Sequence, residues 1–190
     1  MKQASWLAIL IFAALLSQSA KSRAQIAIYG TATADYLNSG PYTDFVEGGS
    51  AGLVVDLKQG WHDRITFSAD LQGNFAYNDS KSSLGIRAFT AGEMCDAVTI
   101  GPRLTLAPSF FKLSPYVQGN LGFARYHDPV TRSITDNVVG VQAGVTRQLT
   151  SHFDAVVDYS YSHFGYNFGF YHPQSFSVGA LYHFKKRVKS

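Results

Sequence analysis

The sequence predicts an all-β chain that closes into an eight-stranded antiparallel up-and-down transmembrane β-barrel. Three observations point there. About eight segments alternate apolar and polar side chains with a period of two, each long enough to cross a bilayer as a tilted strand. The connections between them alternate, short after the even strands and longer after the odd ones, an asymmetry typical of membrane barrels. Only 15% of residues are charged while 14% are aromatic, a mixture that suits an apolar exterior, a small and polar interior and aromatic interfaces.

Lys2 precedes an apolar run over 6–16, and Ser22-Arg23-Ala24 supplies a small-x-small site. This is the pattern of a secretory signal peptide, with cleavage expected between Ala24 and Gln25. The run is too short to span a bilayer as a helix, and no later run is long and apolar enough to do so. The expected organisation is a signal peptide over 1–24, a barrel over 25–184 and a basic periplasmic tail over 185–190. There are 16 Lys and Arg against 13 Asp and Glu, a formal charge of +3. The excess is Lys2, Lys21 and Arg23, so the exported chain is neutral overall and the basic balance implies no nucleic-acid partner. Cys95 is the single cysteine, which excludes an intramolecular disulfide.

Taken in order, the first strand covers 26–37. Ile28, Gly30, Ala32, Ala34 and Tyr36 fall on one face; Tyr29, Thr31, Thr33 and Asp35 fall on the other. Asn38, Ser39, Gly40 and Pro41 form a breaker cluster and are read as a loop. The second strand, 46–58, sends Leu53, Val55 and Leu57 outward and Asp56 inward. After a short turn, the third, 64–77, alternates Ile65, Phe67, Ala69, Leu71, Phe75 and Tyr77 with Thr66, Ser68, Asp70, Gln72, Asn74 and Ala76. Residues 78–96 read as a long irregular stretch, part of which extends a neighbouring strand. The fourth strand, 97–107, places Val98, Ile100, Leu104 and Leu106 out and Thr99, Arg103 and Thr105 in. The fifth, 113–126, sets Val117, Leu121 and Phe123 against Tyr116, Gln118 and Asn120. The sixth, 137–149, sets Val139, Val141, Ala143 and Val145 against Gln142, Gly144 and Thr146. The seventh, 152–164, sets Phe153, Ala155, Val157, Tyr159 and Tyr161 against Asp154, Asp158, Ser160 and Ser162. The eighth, 175–184, alternates Phe176, Val178, Ala180, Tyr182 and Phe184 with Ser175, Ser177, Gly179, Leu181 and His183. The polar faces are Thr, Ser, Gln, Asn and Asp with almost no Lys. A water-facing sheet would accept Lys freely, so this composition suits the crowded lumen of a small barrel.

The last strand resembles the C-terminal assembly signal of bacterial outer-membrane barrels, with Ser177, Gly179, Tyr182 and Phe184 in the polar-x-Gly-x-x-aromatic-x-aromatic pattern. Ile100-Gly101-Pro102-Arg103-Leu104, followed by Pro115-Tyr116-Val117-Gln118-Gly119, is similar to a stretch common in the OmpA-like β-barrel family. The resemblance implies a barrel exported to the outer membrane, with membrane lipid and the barrel-assembly machinery as partners. One departure is the tail after Phe184, since family members commonly end on the final aromatic. The anchoring domain of longer members is not expected here.

Arg103 is the main lumen cation, and Asp35, Asp56, Asp70, Asp154 and Asp158 share the lumen with it. They form either a charged gate or an ion-pair network that fixes strand register; the second reading is favoured because buried charges must be paired. His62, His127, His152, His163, His172 and His183 are scattered without metal-ligand spacing. Ser162 and His163 are adjacent in a strand and so point to opposite faces. Neither they nor His127 with Asp128 make a catalytic pair. No catalysis, metal or cofactor is expected, and Cys95 reads as a buried or lipid-facing thiol. Tyr36, Tyr77, Tyr126, Tyr159, Tyr161 and the aromatics of 166–171 read as an interfacial girdle, or, for 166–171, as a contact loop. The expected function is a scaffold presenting outer loops; the alternatives are a narrow pore for small solutes or ions and, less favoured, a lipid A-modifying enzyme.

Overall fold

The period-two alternation becomes eight strands in the computed structural model, which describes residues 25–39, 42–60, 64–78, 93–108, 111–127, 133–165 and 172–184. They are β1 (Ile26–Ser39), β2 (Tyr42–Gly60), β3 (Ile65–Asn78), β4 (Glu93–Leu106), β5 (Leu113–His127), β6 (Ile134–Gln148), β7 (Phe153–Phe164) and β8 (Gln174–His183). Each strand pairs antiparallel with the next, and β8 returns to β1 to close the barrel. Closure pairs every strand on both sides and leaves no open edge, which is what a sheet needs in hydrocarbon, where no water can satisfy a free amide.

The facing pattern follows the sequence. Val98, Val117, Leu121, Val139 and Val141 point outward, each with more than half of its surface exposed. Between them Asp70, Thr99, Arg103, Gln118, Gln142 and Asp158 point inward and are buried. Eight strands enclose only enough space for side chains to fill. Two apolar clusters lie toward the ends of that space. At the terminal end, where β1 begins and β8 finishes, Ala27, Tyr29, Val54, Val156 and Leu181 pack together. At the opposite end Val46, Ala124, Val138 and Phe164 pack together, with Cys95 and Tyr126 against them.

The strands run further than the apolar alternation. The β1–β2 ladder continues to Ser39↔Tyr42, leaving Gly40 and Pro41 between the strands. This connection is therefore tight, not the longer loop expected from the breaker cluster. The β3–β4 ladder likewise continues to Asn78↔Glu93. A hydrogen-bonded ladder needs no apolar face once its register is set, so polar residues extend it past the lipid-facing band. Connections after β3 and β7 remain the longest. Those after β1 and β5 are no longer than the one after β4, so the expected alternation in length fails there.

Two local irregularities have clear causes. In β2 the register against β3 shifts between Asp56 and Lys58, a bulge with Leu57 as the extra residue. Asp56 stays inward opposite Ser68, while Lys58 comes to lie opposite the outward Phe67. Pairing of β4 with β5 breaks after Ile100↔Leu121 and resumes at Arg103↔Gln118. Pro102 lies in that gap and has no amide hydrogen to donate.

Gly179 explains itself at the seam. It pairs with Thr31 across β1–β8, and a Cβ there would collide with the Gly30 carbonyl oxygen and the Thr31 side chain. Gly179→Ala is expected to destabilise the closed barrel by about 1–3 kcal/mol through overpacking. Urea-unfolding midpoints of the refolded protein in lipid vesicles would check this, and an unchanged midpoint would refute the steric account.

Candidate functional site

The alternation of β3 and β4 brings Asp70 and Arg103 to the same level of the lumen from adjacent strands. Arg103 Nη1 stands 3.4 Å from Asp70 Oδ2, both side chains being almost wholly buried. Tyr29, from β1, donates its hydroxyl to the other oxygen, Asp70 Oδ1, at 2.9 Å. The Arg103 guanidinium lies over the Tyr116 ring, 3.6 Å from its centroid. That contact shields the cation with the negative face of the π-system. Tyr116 in turn donates its hydroxyl to Asp158 Oδ2 at 3.0 Å, and Asp158 accepts a further bond from Ser177 of β8.

Amides complete the circuit. Gln118 Nε2 donates to Asn120 Oδ1 at 2.7 Å, Asn120 Nδ2 to Gln142 Oε1 at 3.4 Å, and Gln142 Nε2 to the Tyr116 hydroxyl at 3.5 Å. The result is one belt of contacts running through β1, β3, β4, β5, β6, β7 and β8. It crosses the lumen.

The remaining carboxylates stand apart from this belt. Asp56 accepts the Ser68 hydroxyl at 2.7 Å. Asp154 Oδ2 lies 3.1 Å from His183 Nε2 near the terminal end. Asp35 lies toward the opposite end and accepts from Ser175. Small spaces flank the belt. One, of about 80 Å³, is lined by Asp35, Cys95, Thr99 and Ser175 among others. The other, of about 40 Å³, is lined by Asp56, Arg103, Asp154 and His183 among others.

Residues of the assembly pattern divide between the two faces. Ser177 and Gly179 point inward. Tyr182 points outward, its ring centroid 5.0 Å from Phe153 and 5.4 Å from Phe184, with His152 stacked at 5.8 Å. Of the expected girdle, Tyr77, Tyr159 and Tyr161 are exposed on the outer wall, but Tyr126 turns inward onto the apolar cluster. Its even number in β5 places it on the face of Tyr116 and Asn120, so the period-two rule itself decides against the girdle. The aromatics of 166–171 lie outside the described residues.

The sequence reading missed Tyr29 and Tyr116 as partners of the lumen charges, and His183 as the partner of Asp154. The signal was present, because each lies on the polar face of its strand. The Nδ1 atoms of His163 and His172 approach to 3.1 Å on the outside of the wall. Among the described residues, no three His, Cys, Asp or Glu side chains converge on a metal-sized site.

A wall of exposed apolar side chains around a filled, hydrogen-bonded lumen defines a membrane-spanning β-barrel. The chain belongs to the family of the outer membrane protein β-barrel domain, whose model matches residues 5–184. Its structure is similar to that of Neisserial surface protein A (NspA), with a TM-score of 0.58 at 15% identity over 83% of this chain and 96% of that one. It is also similar to the N-terminal β-barrel domain of Pseudomonas aeruginosa OprF, with a TM-score of 0.55 at 13% identity over 85% and 100% of the two chains. Ail, the attachment invasion locus protein of Yersinia pestis, gives a TM-score of 0.54 at 13% identity over 84% and 98%. At these identities the likeness is one of fold. No curated protein matches the sequence.

Removing one member of the central pair leaves the other buried and uncompensated. Arg103→Met is expected to cost about 3–5 kcal/mol. The double variant Arg103→Met/Asp70→Asn recovers much of that loss, because no charge is then stranded. Unfolding midpoints of the two variants side by side would check this; equal losses would show that the pairing itself is unimportant.

Proposed function

We propose that this protein is a scaffold of the bacterial outer membrane that presents its outer hairpins to the surroundings and catalyses no reaction. The observation that carries this reading is the filled lumen. A belt of hydrogen-bonded side chains crosses it, and an apolar cluster lies toward each end. A lumen so occupied supports neither bulk transport nor a substrate cleft, which leaves the rim as the surface free to interact. Among the similar structures are one named as a surface protein and one named as an attachment invasion locus protein, names in keeping with a rim that makes contacts.

In this reading residues 1–24 direct export and are removed after Ala24. Ser177, Gly179, Tyr182 and Phe184 engage the barrel-assembly machinery, and the terminal end faces the periplasm with 185–190 beyond it. The lumen charges Arg103, Asp35, Asp56, Asp70, Asp154 and Asp158 serve the barrel as internal partners. A second reading, a gated path for small ions, draws support from the spaces of about 80 and 40 Å³ that flank the Arg103–Asp70 bridge.

Export with cleavage predicts a purified protein whose N-terminal residue is Gln25, read by mass spectrometry. Such a barrel migrates faster unheated than boiled, and an epitope inserted between Pro129 and Val130 is reached by antibody on intact cells. An epitope accessible only after lysis would overturn the scaffold reading. In planar bilayers the scaffold gives no conductance steps, whereas steps that grow in Arg103→Ala would establish the gated path instead.

A further inference from the structure

Among the described residues the outer wall carries its charges unevenly, although the exported chain is neutral overall. At the terminal end Lys58, Arg64, Lys112 and Arg147 are all exposed. Lys58 and Arg64 flank the β2–β3 connection, Lys112 immediately precedes β5, and Arg147 lies one residue before the end of β6. Every connection at that end therefore carries at least one cation. Lys185, Lys186, Arg187 and Lys189 follow β8 in sequence. The acids described at this end, Asp56 and Asp154, both point into the lumen, where they bond Ser68 and His183. The described residues of the opposite end differ. Glu47 and Asp96 are exposed there on the outer wall, and Arg125 faces Asp96 across the β4–β5 ladder.

We propose that the terminal rim of the barrel is a binding surface for anionic phospholipid headgroups of the periplasmic leaflet. The proposal rests on the reading above that this end faces the periplasm. The cations stand at the right level. Arg147 lies two residues past the exposed Val145 and pairs across to Leu113, at the margin of the apolar band. The bulge after Asp56 turns Lys58 to the outside, opposite Phe67. Long basic side chains at such a margin reach from the apolar wall to the phosphates. Cations close to an anionic membrane surface are attracted to it individually, an effect that salt screens. Their distribution favours lipid over a protein partner: they surround the barrel at successive connections and form no single patch.

Trp61 lies between Lys58 and Arg64 in sequence and is the only tryptophan outside the signal segment. Its fluorescence is the readout. The barrel is refolded into phosphatidylcholine vesicles containing either brominated phosphatidylglycerol or brominated phosphatidylcholine, and quenching is compared. The wild type is expected to favour phosphatidylglycerol by about tenfold, and 0.5 M salt is expected to reduce that preference. In Lys58→Gln/Arg64→Gln/Lys112→Gln/Arg147→Gln the preference falls toward unity, while in Arg125→Gln it persists. Should the quadruple variant fail to show the gel-mobility shift of a folded barrel, the single reversal Arg147→Glu replaces it and is expected to lower the preference. Equal quenching by the two lipids in wild type, or a preference unchanged in the variant, overturns the proposal. No quenching by either lipid, with no mobility shift, would instead overturn the membrane reading on which it rests.

Discussion

Arg103 introduces a full positive charge into a lumen that both membrane and sheet cut off from bulk water, and much of the interior is arranged around that charge. Asp70 supplies the counter-charge from the neighbouring strand, and Tyr29 holds the carboxylate from β1. Tyr116 lies flat against the guanidinium and passes its own hydroxyl to Asp158. A buried pair of this kind adds little net stability compared with a well-packed apolar pair. Its geometry bears on strand register. Slipping β4 by one residue against β3 would turn Arg103 into hydrocarbon and leave Asp70 alone inside. Such a slip would be costly for both charges.

The same constraint explains how interior and exterior divide their tasks. In a water-soluble protein apolar side chains gather inside; here Val98, Leu121 and Val141 spread outward and remain exposed, while amides and hydroxyls gather within. With lipid as the outer solvent, the polar interior replaces the hydrophobic core as the place where fit is demanding. The residues at the belt must satisfy one another, because no solvent is available to do so. The outer wall asks only for apolarity, so its residues are interchangeable to a much greater degree.

Much of this was legible in the sequence because a strand reveals its two faces through a period of two. Arg103 and all five aspartates could be placed inside from parity alone, and so could the outward Leu104 and Val117. Tyr126 was misjudged through its chemistry: as an aromatic near a strand end it suggested an interface, although its position marked it as inward. The reach of β1 and β2 was misjudged for another reason. Asn38 and Ser39 are turn formers by composition, but a ladder already zipped from below imposes extended structure on them. Partnerships between distant strands were not legible at all. Nothing in the local pattern says that Tyr29 reaches Asp70, or Asp154 His183, until eight strands close and bring both ends of the chain together.

The bulge in β2 is a parity switch in a code that otherwise assigns every even residue of that strand to the interior. Before it, Val54 and Asp56 obey the rule; after it, Lys58 breaks it and faces the outside. A single extra residue thus moves Lys58 from the crowded lumen to the margin of the bilayer and reverses the facing of Gln59 and Gly60 with it. Within this strand, substitutions and deletions are therefore unequal events. Exchanging Leu57 for another apolar residue keeps the bulge, and losing it would let Lys58 follow Asp56 directly opposite Phe67 in a regular ladder, whereas losing a residue earlier in the strand, such as Leu53, would break the alternation that a period of two demands.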